Sequence, residues 1–324
     1  MQIAGLIIAL AELIFMKIYD VIIVGGGPAG LNAAVVLGRC RRKVLLFDHG
    51  KHRNRHSHGM HNYLTRDNIL PVDFLKISRE EIKKYGVKIL HTEVKDAKKT
   101  SEEIFRIKDS NSKIYHSKKL VLATGLIDIL PQIKGVEEFY GKSLFHCPYC
   151  DAWEFAGKKM GVYSKRKSGI DVALSLTTWS NDVTLYTDGK KYVKPKNMEL
   201  LQQKNITVTL QPIASLQGNN GKIKNIVLKN GEKQRCDALF FSSGYETQCD
   251  IARTLGCNFG KNKLVLTNKT QQTNVAGLYV VGDASKDVQF VVVAAAEGAK
   301  AGVYINKELL SEEINETKEE LQAN

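Results

Sequence analysis

The sequence of 324 residues predicts an α/β protein, and three local patterns carry that prediction. A β-branched run, Ile18–Val24, passes directly into GGGPAG and then LNAAVVLGRC, which is the order strand, glycine turn, helix. Mid-chain, KMGVYS, GIDVALSLTTWS and VTLYTD repeat a strand–helix–strand order. Near the end, GLYVVGDAS (Gly277–Ser285) is a strand running into a glycine–acid turn, followed by the helical VQFVVVAAAEGAKAGVYINKEL. Together these predict two Rossmann-like, three-layer dinucleotide-binding domains, the second inserted into the first. The expected boundaries are an extension at 1–16, a first domain at 17–127 completed by 248–310, an inserted domain at 128–247, and an acidic tail at 311–324.

The opening MQIAGLIIALAELIFM is apolar but carries Gln2 and Glu12, and no Lys or Arg precedes it, so the basic region of a secretory signal is missing. It is also shorter than the ~20 apolar residues of a membrane span. With Met16 placed just before KIYDVIIVGGG, it reads as an upstream start or a loosely attached extension rather than an anchor. The next strand delivers Gly25, Gly27 and Gly30 in the spacing G-x-G-x-x-G. The first glycine suits a tight turn and the second a close approach of backbone to a pyrophosphate. The third suits close packing of helix on strand. The strand Lys43–Asp48 then ends in a carboxylate eighteen residues beyond Gly30, placed to accept hydrogen bonds from an adenosine ribose.

A histidine-rich stretch, HGKHRNRHSHGMHNYL, precedes an expected helix over Pro71–Tyr85. These histidines lack the i, i+4 pairing of helical metal sites, so a solvated or cofactor-flanking loop is expected and no metal is assigned. The strand KKLVLATG ends at Gly125, and the tail Ser311–Asn324 reads as a fraying, solvated helix. Composition places the chain among globular proteins. Its six cysteines lack the density of a secreted disulfide framework, which favours a reducing, cytoplasmic setting. The formal charge of +13 is spread along the chain with no nucleic-acid-binding motif, so an acidic protein partner is favoured over DNA.

The segment FHCPYCDAWE holds the remaining chemistry, a C-x-x-C pair at Cys147 and Cys150 followed by Asp151. Half of a zinc site, a redox dithiol and two ordinary buried cysteines all fit that spacing alone. In order along the chain stand GGGPAG at Gly25–Gly30, ATG at Ala123–Gly125, C-x-x-C-D at Cys147–Asp151, FFSSG at Phe240–Gly244 and GDA at Gly282–Ala284. With these, the sequence resembles the low-molecular-weight thioredoxin reductase group of FAD-dependent disulfide oxidoreductases from about Lys17 to Leu310.

The resemblance implies bound FAD, a homodimer, and a thioredoxin-like protein or small disulfide as partner. It implies that Gly25, Gly27, Pro28, Ala29 and Gly30 cradle the pyrophosphate and that Asp48 reaches the ribose. Thr124 and Gly125 would line the cofactor where the chain crosses between domains, and Gly282 and Asp283 would hold the ribityl chain, with Gln289 near the flavin ring. It also implies that Cys150 faces the flavin and Cys147 meets the substrate disulfide. Cys236, Cys249 and Cys257 offer no second C-x-x-C for zinc. Asp151 is placed to act as general acid–base in dithiol exchange, and His146 reads as a packing residue.

The sequence departs from the family pattern in the inserted domain. In VYSKRKSG, Ser164 and Arg166 stand where the first two glycines of a second triplet belong, and only Gly169 keeps its place. Tyr186, Thr187 and Asp188 replace the basic cluster expected around a 2′-phosphate. The expectation is therefore a disulfide oxidoreductase with a degenerate NADPH site. The electron donor is then NAD(P)H, an acidic protein such as a ferredoxin or flavodoxin, or a substrate dithiol in an oxygen-using dithiol oxidase. A non-enzymatic flavin-binding redox sensor is the remaining class.

Overall fold

The computed structural model describes residues 17–248, 250–286 and 288–323; the expected extension 1–16 and Cys249 lie outside them. The chain forms two compact units. Of the described residues, those up to His52, Phe74–Leu126 and those from Thr247 onward form one; Arg53–Asp73 and Ile127–Glu246 form the other.

The first unit is built on strands β1 (Ile18–Val24), β2 (Val44–Phe47), β3 (Lys88–Leu90), β6 (Ile114–Leu122) and β17 (Leu278–Val280), all parallel. Val21–Val24, Val44–Phe47 and Leu120–Leu122 are buried without alternation, as expected for parallel strands covered on both faces. The free edge of β6 takes β17 along Leu120–Leu122 and β5 (Phe105–Asp109) along Ile114–Ser117, with β4 (Val94–Lys99) antiparallel beyond β5. Helix α1 (Pro28–Arg39) follows β1, and helix α2 (Pro71–Lys83) stops short of the expected Tyr85, ahead of Gly86 at φ 75°. The long final helix α8 (Val291–Ala323) crosses α1 closely, because a Cβ at Gly298 would overlap the Ala29 carbonyl. The expected fraying tail continues α8, and its Glu312 and Glu313 pair with Lys119 and Arg42.

The second unit holds a parallel sheet in the order β11 (Ile206–Thr209), β10 (Val183–Tyr186), β9 (Met160–Tyr163), β15 (Ala238–Phe241), β8 (Leu144–Phe145). An antiparallel ribbon, β12 (Ile213–Asn219), β13 (Lys222–Leu228) and β14 (Lys233–Arg235), accompanies it. Its helices are α3 (Val136–Phe139), α4 (Pro148–Asp151), α5 (Ser168–Leu176) and α6 (Pro195–Gln203); the short α7 (Ile251–Thr254) belongs to the first unit. The short strands β7 (Leu126–Asp128) and β16 (Tyr245–Thr247) mark the two crossings of the chain. Both units are parallel α/β layers of the expected Rossmann-like class, the second inserted into the first. The histidine-rich loop Arg53–Asp73, which sequence order places within the first unit, packs with the second: Asn62 Nδ2 donates to the Tyr149 carbonyl at 2.8 Å.

Candidate dinucleotide cradle and redox dithiol

Each glycine of the first triplet meets a different constraint. Gly25 sits at φ 117°, and a Cβ there would overlap the Ala123 carbonyl oxygen. Gly30 is equally tight, since its Cβ would overlap the Gly25 carbonyl, so helix α1 lies directly on the turn. Gly27 differs from both. It is the N-cap of α1 in ordinary extended backbone, φ −80° and ψ −177°, and no heavy atom lies within 4 Å of its would-be Cβ. Nothing within the fold demands a glycine there, and the open space lies beside the free N–H groups of the helix start. Pro28 and Ala29 occupy the first helical turn.

Of the other cofactor candidates in this unit, Asp48, the Ala123–Gly125 segment and Gly282 lie against the same turn. Asp48 is 2% exposed, and a Cβ at Gly26 would collide with its carboxyl. It accepts from Arg79 Nη2 at 2.7 Å and from the Gly50 amide at 2.8 Å, with His52 Nε2 at 3.7 Å. Burial raises its pKa, but the Gly50 amide, His52 and Arg79 together hold it below the ordinary value. Thr124 is half-buried, and Gly125 turns the chain at φ 64°. Gly282, at φ 76°, begins the one-turn helix carrying Asp283, and its would-be Cβ would sit 3.0 Å from the Ala29 side chain. The Gly282 amide donates to Glu297 Oε2 of α8 at 2.8 Å. Burial raises the pKa of Glu297, and Lys286 stands 3.6 Å from its other oxygen. Gln289 is half-buried in the segment leading into α8.

In the second unit Cys147 and Cys150 are joined as a disulfide with Cα atoms 5.3 Å apart, Cys147 as N-cap of α4 and Cys150 on its single turn. Asp151 follows on the same turn. Burial, with a smaller contribution from the charge of Glu154, pushes its carboxyl up to about 7. Beside the dithiol, Tyr149 and Trp153 are exposed, and the rings of Tyr149 and Trp179 pack in a T-shape with centroids 5.6 Å apart. His146 Nδ1 lies 3.5 Å from Asp128, which is also held by Arg53 Nε at 3.0 Å and by the Tyr140 hydroxyl at 2.7 Å. Burial and Arg53 push the His146 imidazole down to about 4, which leaves it neutral. The buried cysteines of the described residues do not compete for this chemistry: burial pushes Cys236 up to about 12 and also raises Cys257. Among the described residues no group of three or more His, Cys, Asp or Glu could hold a metal ion.

The nucleotide-type turn of this unit is closed by its own side chains. Ser164 is fully buried; its Oγ accepts from the Arg166 amide at 3.1 Å and donates to the Ser242 carbonyl at 3.2 Å. Gly169 keeps the helix on the strand, since a Cβ there would stand 2.5 Å from that of Ser164. At the end of β10, Asp188 binds Lys165 Nζ at 2.8 Å, accepts from Tyr163 at 3.1 Å and takes the Ile213 amide at 3.2 Å.

Arg79, Glu297 and the Arg53–Asp128 pair were not found by sequence reasoning, because each acts on a residue far away in the chain. The acid within AAAEGAKAG, an apolar helical run, is a signal from which Glu297 could have been found.

A parallel α/β domain whose glycine turn leaves the space beside Gly27 open, and an inserted domain presenting a closed disulfide followed by a near-neutral carboxyl, are the features of a disulfide oxidoreductase. The chain belongs to the pyridine nucleotide-disulphide oxidoreductase family, which it matches over residues 19–298. It is 30% identical over 303 residues to a protein of Arthroderma benhamiae named for thioredoxin reductase, covering 83% of this chain and 74% of that one. Thioredoxin reductase tcpT of Claviceps purpurea is 30% identical over 310 residues, covering 91% and 96%. The solved structure of HlmI superposes with a TM-score of 0.92 at 29% identity, covering 95% of this chain and 98% of that one. The chain is thus a thioredoxin reductase-like enzyme. Among its described residues, no helix is long and apolar enough to cross a membrane.

Proposed function

We propose that Cys147 and Cys150 pass two electrons between FAD, held at the Gly25–Gly30 turn, and a thioredoxin-like protein or small disulfide. When bound, FAD supplies the two-electron chemistry that opens or closes the dithiol. The observation that carries the reading is a closed C-x-x-C disulfide followed directly by a carboxyl raised to about 7. In the reducing direction the Cys147 thiolate attacks the substrate disulfide and forms a mixed disulfide, and one substrate thiolate leaves. Cys150 then attacks Cys147 Sγ, closing the intrachain disulfide and releasing the second substrate thiolate. Asp151, half-protonated near neutral pH, donates the protons those thiolates take up. Gly27 supports FAD in particular, since it keeps space open at a helix N-terminus where only a ligand would need it. Asp48, steadied by Arg79, and the Glu297-anchored Gly282–Asp283 turn supply the remaining contacts. The exposed thiol of Cys40 suits a reducing, cytoplasmic location.

The donor is the second half of the reading. Ser164 fills the first glycine position with a bonded side chain, and Lys165 and Asp188 neutralise each other where a 2′-phosphate needs free cations. NADPH therefore fits this turn poorly, and NADH, an acidic reduced protein carrier or a substrate dithiol serves better. The dithiol case runs the exchange backwards, with oxygen as the final acceptor. The test is the anaerobic rate of flavin bleaching with NADPH, NADH, a reduced ferredoxin and a small dithiol, each at low and high salt. Slow bleaching by NADPH and faster bleaching by another donor is expected. Rapid bleaching by micromolar NADPH would show that the turn binds it after all.

A further inference from the structure

We infer that the cationic cleft between the C-terminal ends of α1 and α2 is a second anion site of this chain, suited to a compact ligand with two or more linked phosphoryl groups. The cleft has a volume of about 580 Å³, and its lining includes Arg39, Arg41, Arg42, Lys43, Lys84 and Tyr85, with no acid among the described residues that line it. The cations come from two separate segments, RCRRK and KYG, which the fold holds together. A Cβ at Gly38 would stand 2.9 Å from the side chains of both Tyr85 and Val87, so the end of α1 rests directly on the second segment. Across that join Arg39 Nη1 donates to the Tyr85 hydroxyl at 2.8 Å. The lining residues precede β2 and β3, whereas the glycine turn and Asp48 follow β1 and β2 at the other end of these parallel strands. The four residues of β2 alone span about 13 Å, so the cleft is separate from the dinucleotide cradle.

Basic residues at a helix C-terminus ordinarily answer the negative end of the helix dipole, but here they exceed it. Glu313 pairs with Arg42, and Asp20 accepts from the Lys43 amide at 2.6 Å. The two helix ends together supply about one negative charge, which leaves about two positive charges uncompensated. Arg41 adds a second reason. Helix α1 closes with the Arg41 amide on the Gly38 carbonyl at 2.8 Å and the Arg42 amide on the Leu37 carbonyl at 3.1 Å. Arg41 is thus the left-handed residue of that turn, at φ 62°, where glycine fits with less strain. An arginine there strains the backbone and adds a guanidinium to the cleft. The Tyr85 ring is occupied by Arg39 and Lys84, 5.3 and 5.1 Å from its centroid, which leaves the cleft no free aromatic face for a base. An extended acidic peptide brings one carboxylate per about 7 Å along a face, too sparse for cations gathered in one cleft. Linked phosphates match them, and guanidinium forks bind phosphate oxygens in pairs.

Titration calorimetry of the full chain with inorganic triphosphate tests this, with a readout independent of the redox reading. Binding to wild type is expected, weakening as salt rises. Arg41→Gly and Lys84→Gln should each lower the affinity about tenfold, while Lys165→Ala, at the nucleotide-type turn of the other unit, should leave it unchanged. Arg41→Gly should also melt at or above the wild-type temperature, because glycine relieves the left-handed turn; a loss of binding in that variant is then not a loss of fold. Adenosine triphosphate is expected to bind no more tightly than the inorganic chain, since no ring is free to stack its base. No binding of inorganic triphosphate, equal binding in both cleft variants, or a loss confined to Lys165→Ala overturns the proposal. So does an oligoglutamate peptide or a nucleotide that binds about tenfold more tightly than the inorganic chain.

Discussion

In Gly27→Asp the new side chain enters open space, since no heavy atom stands within 4 Å of its Cβ and the backbone is ordinary extended. The residue is the N-cap of α1, where aspartate is preferred over glycine by a few tenths of a kcal/mol. The apoprotein is therefore expected to be as stable as wild type or slightly more so. Cofactor binding moves the other way. The new carboxylate takes up helix N–H groups that a pyrophosphate would use, and like charges about 4 Å apart repel by roughly 4 kcal/mol at an effective dielectric of 20. That is about a thousandfold in affinity. Gly30→Ala provides the contrast, because its Cβ overlaps the Gly25 carbonyl and overpacking of this kind costs about 1–3 kcal/mol in the fold itself. The assay is calorimetric melting of both apoproteins beside a titration with FAD followed by flavin fluorescence. The reasoning is refuted if Gly27→Asp keeps wild-type affinity, or if its apoprotein melts as low as Gly30→Ala.

Three further outcomes are expected. With the Asp151 carboxyl raised to about 7, proton donation to a leaving thiolate weakens as pH rises through that value. In stopped-flow profiles of disulfide exchange, Asp151→Asn should lose this inflection and slow the reaction about 10²- to 10⁴-fold; persistence of the inflection would assign it elsewhere. Cys147→Ser should leave Cys150 free to perturb the flavin absorption spectrum whereas Cys150→Ser should not, and the reverse pattern would exchange their roles. Asp188→Ala frees Lys165, so NADPH affinity measured by equilibrium dialysis should rise about tenfold, an increase worth roughly 1.4 kcal/mol. An unchanged value would mean that this ion pair does not govern nucleotide choice.

What the sequence displayed was local. The turn Gly25–Gly30, the strand ending at Asp48 and the C-x-x-C-D run each fit within a few residues, so period and spacing reveal them. The third-glycine reasoning is matched by the overlap at Gly30, while at Gly27 spacing marked the glycine and no atom of the fold lies near enough to require it. Ser164 and Asp188 announced a departure from the family pattern, but their bonds to Ser242 and Ile213 required the tertiary structure. Arg79, Glu297 and Asp128 serve partners across the sheet or the chain, and no local pattern marks such pairs. The loop Arg53–Asp73 shows the same limit: its histidines suggested little, and its packing with the inserted unit follows from contacts such as Asn62 to Tyr149.

The central claim is that the Cys147–Cys150 pair is the electron path to a bound flavin. Its most direct test is an anaerobic titration of the purified protein with a small dithiol, followed by the flavin absorption, in wild type and in Cys147→Ser. The account predicts a yellow wild-type protein whose flavin bleaches at a stoichiometric dose, and a Cys147→Ser protein that binds flavin equally well yet stays oxidised. Equal bleaching in both, or a colourless wild type that FAD cannot reconstitute, would contradict it.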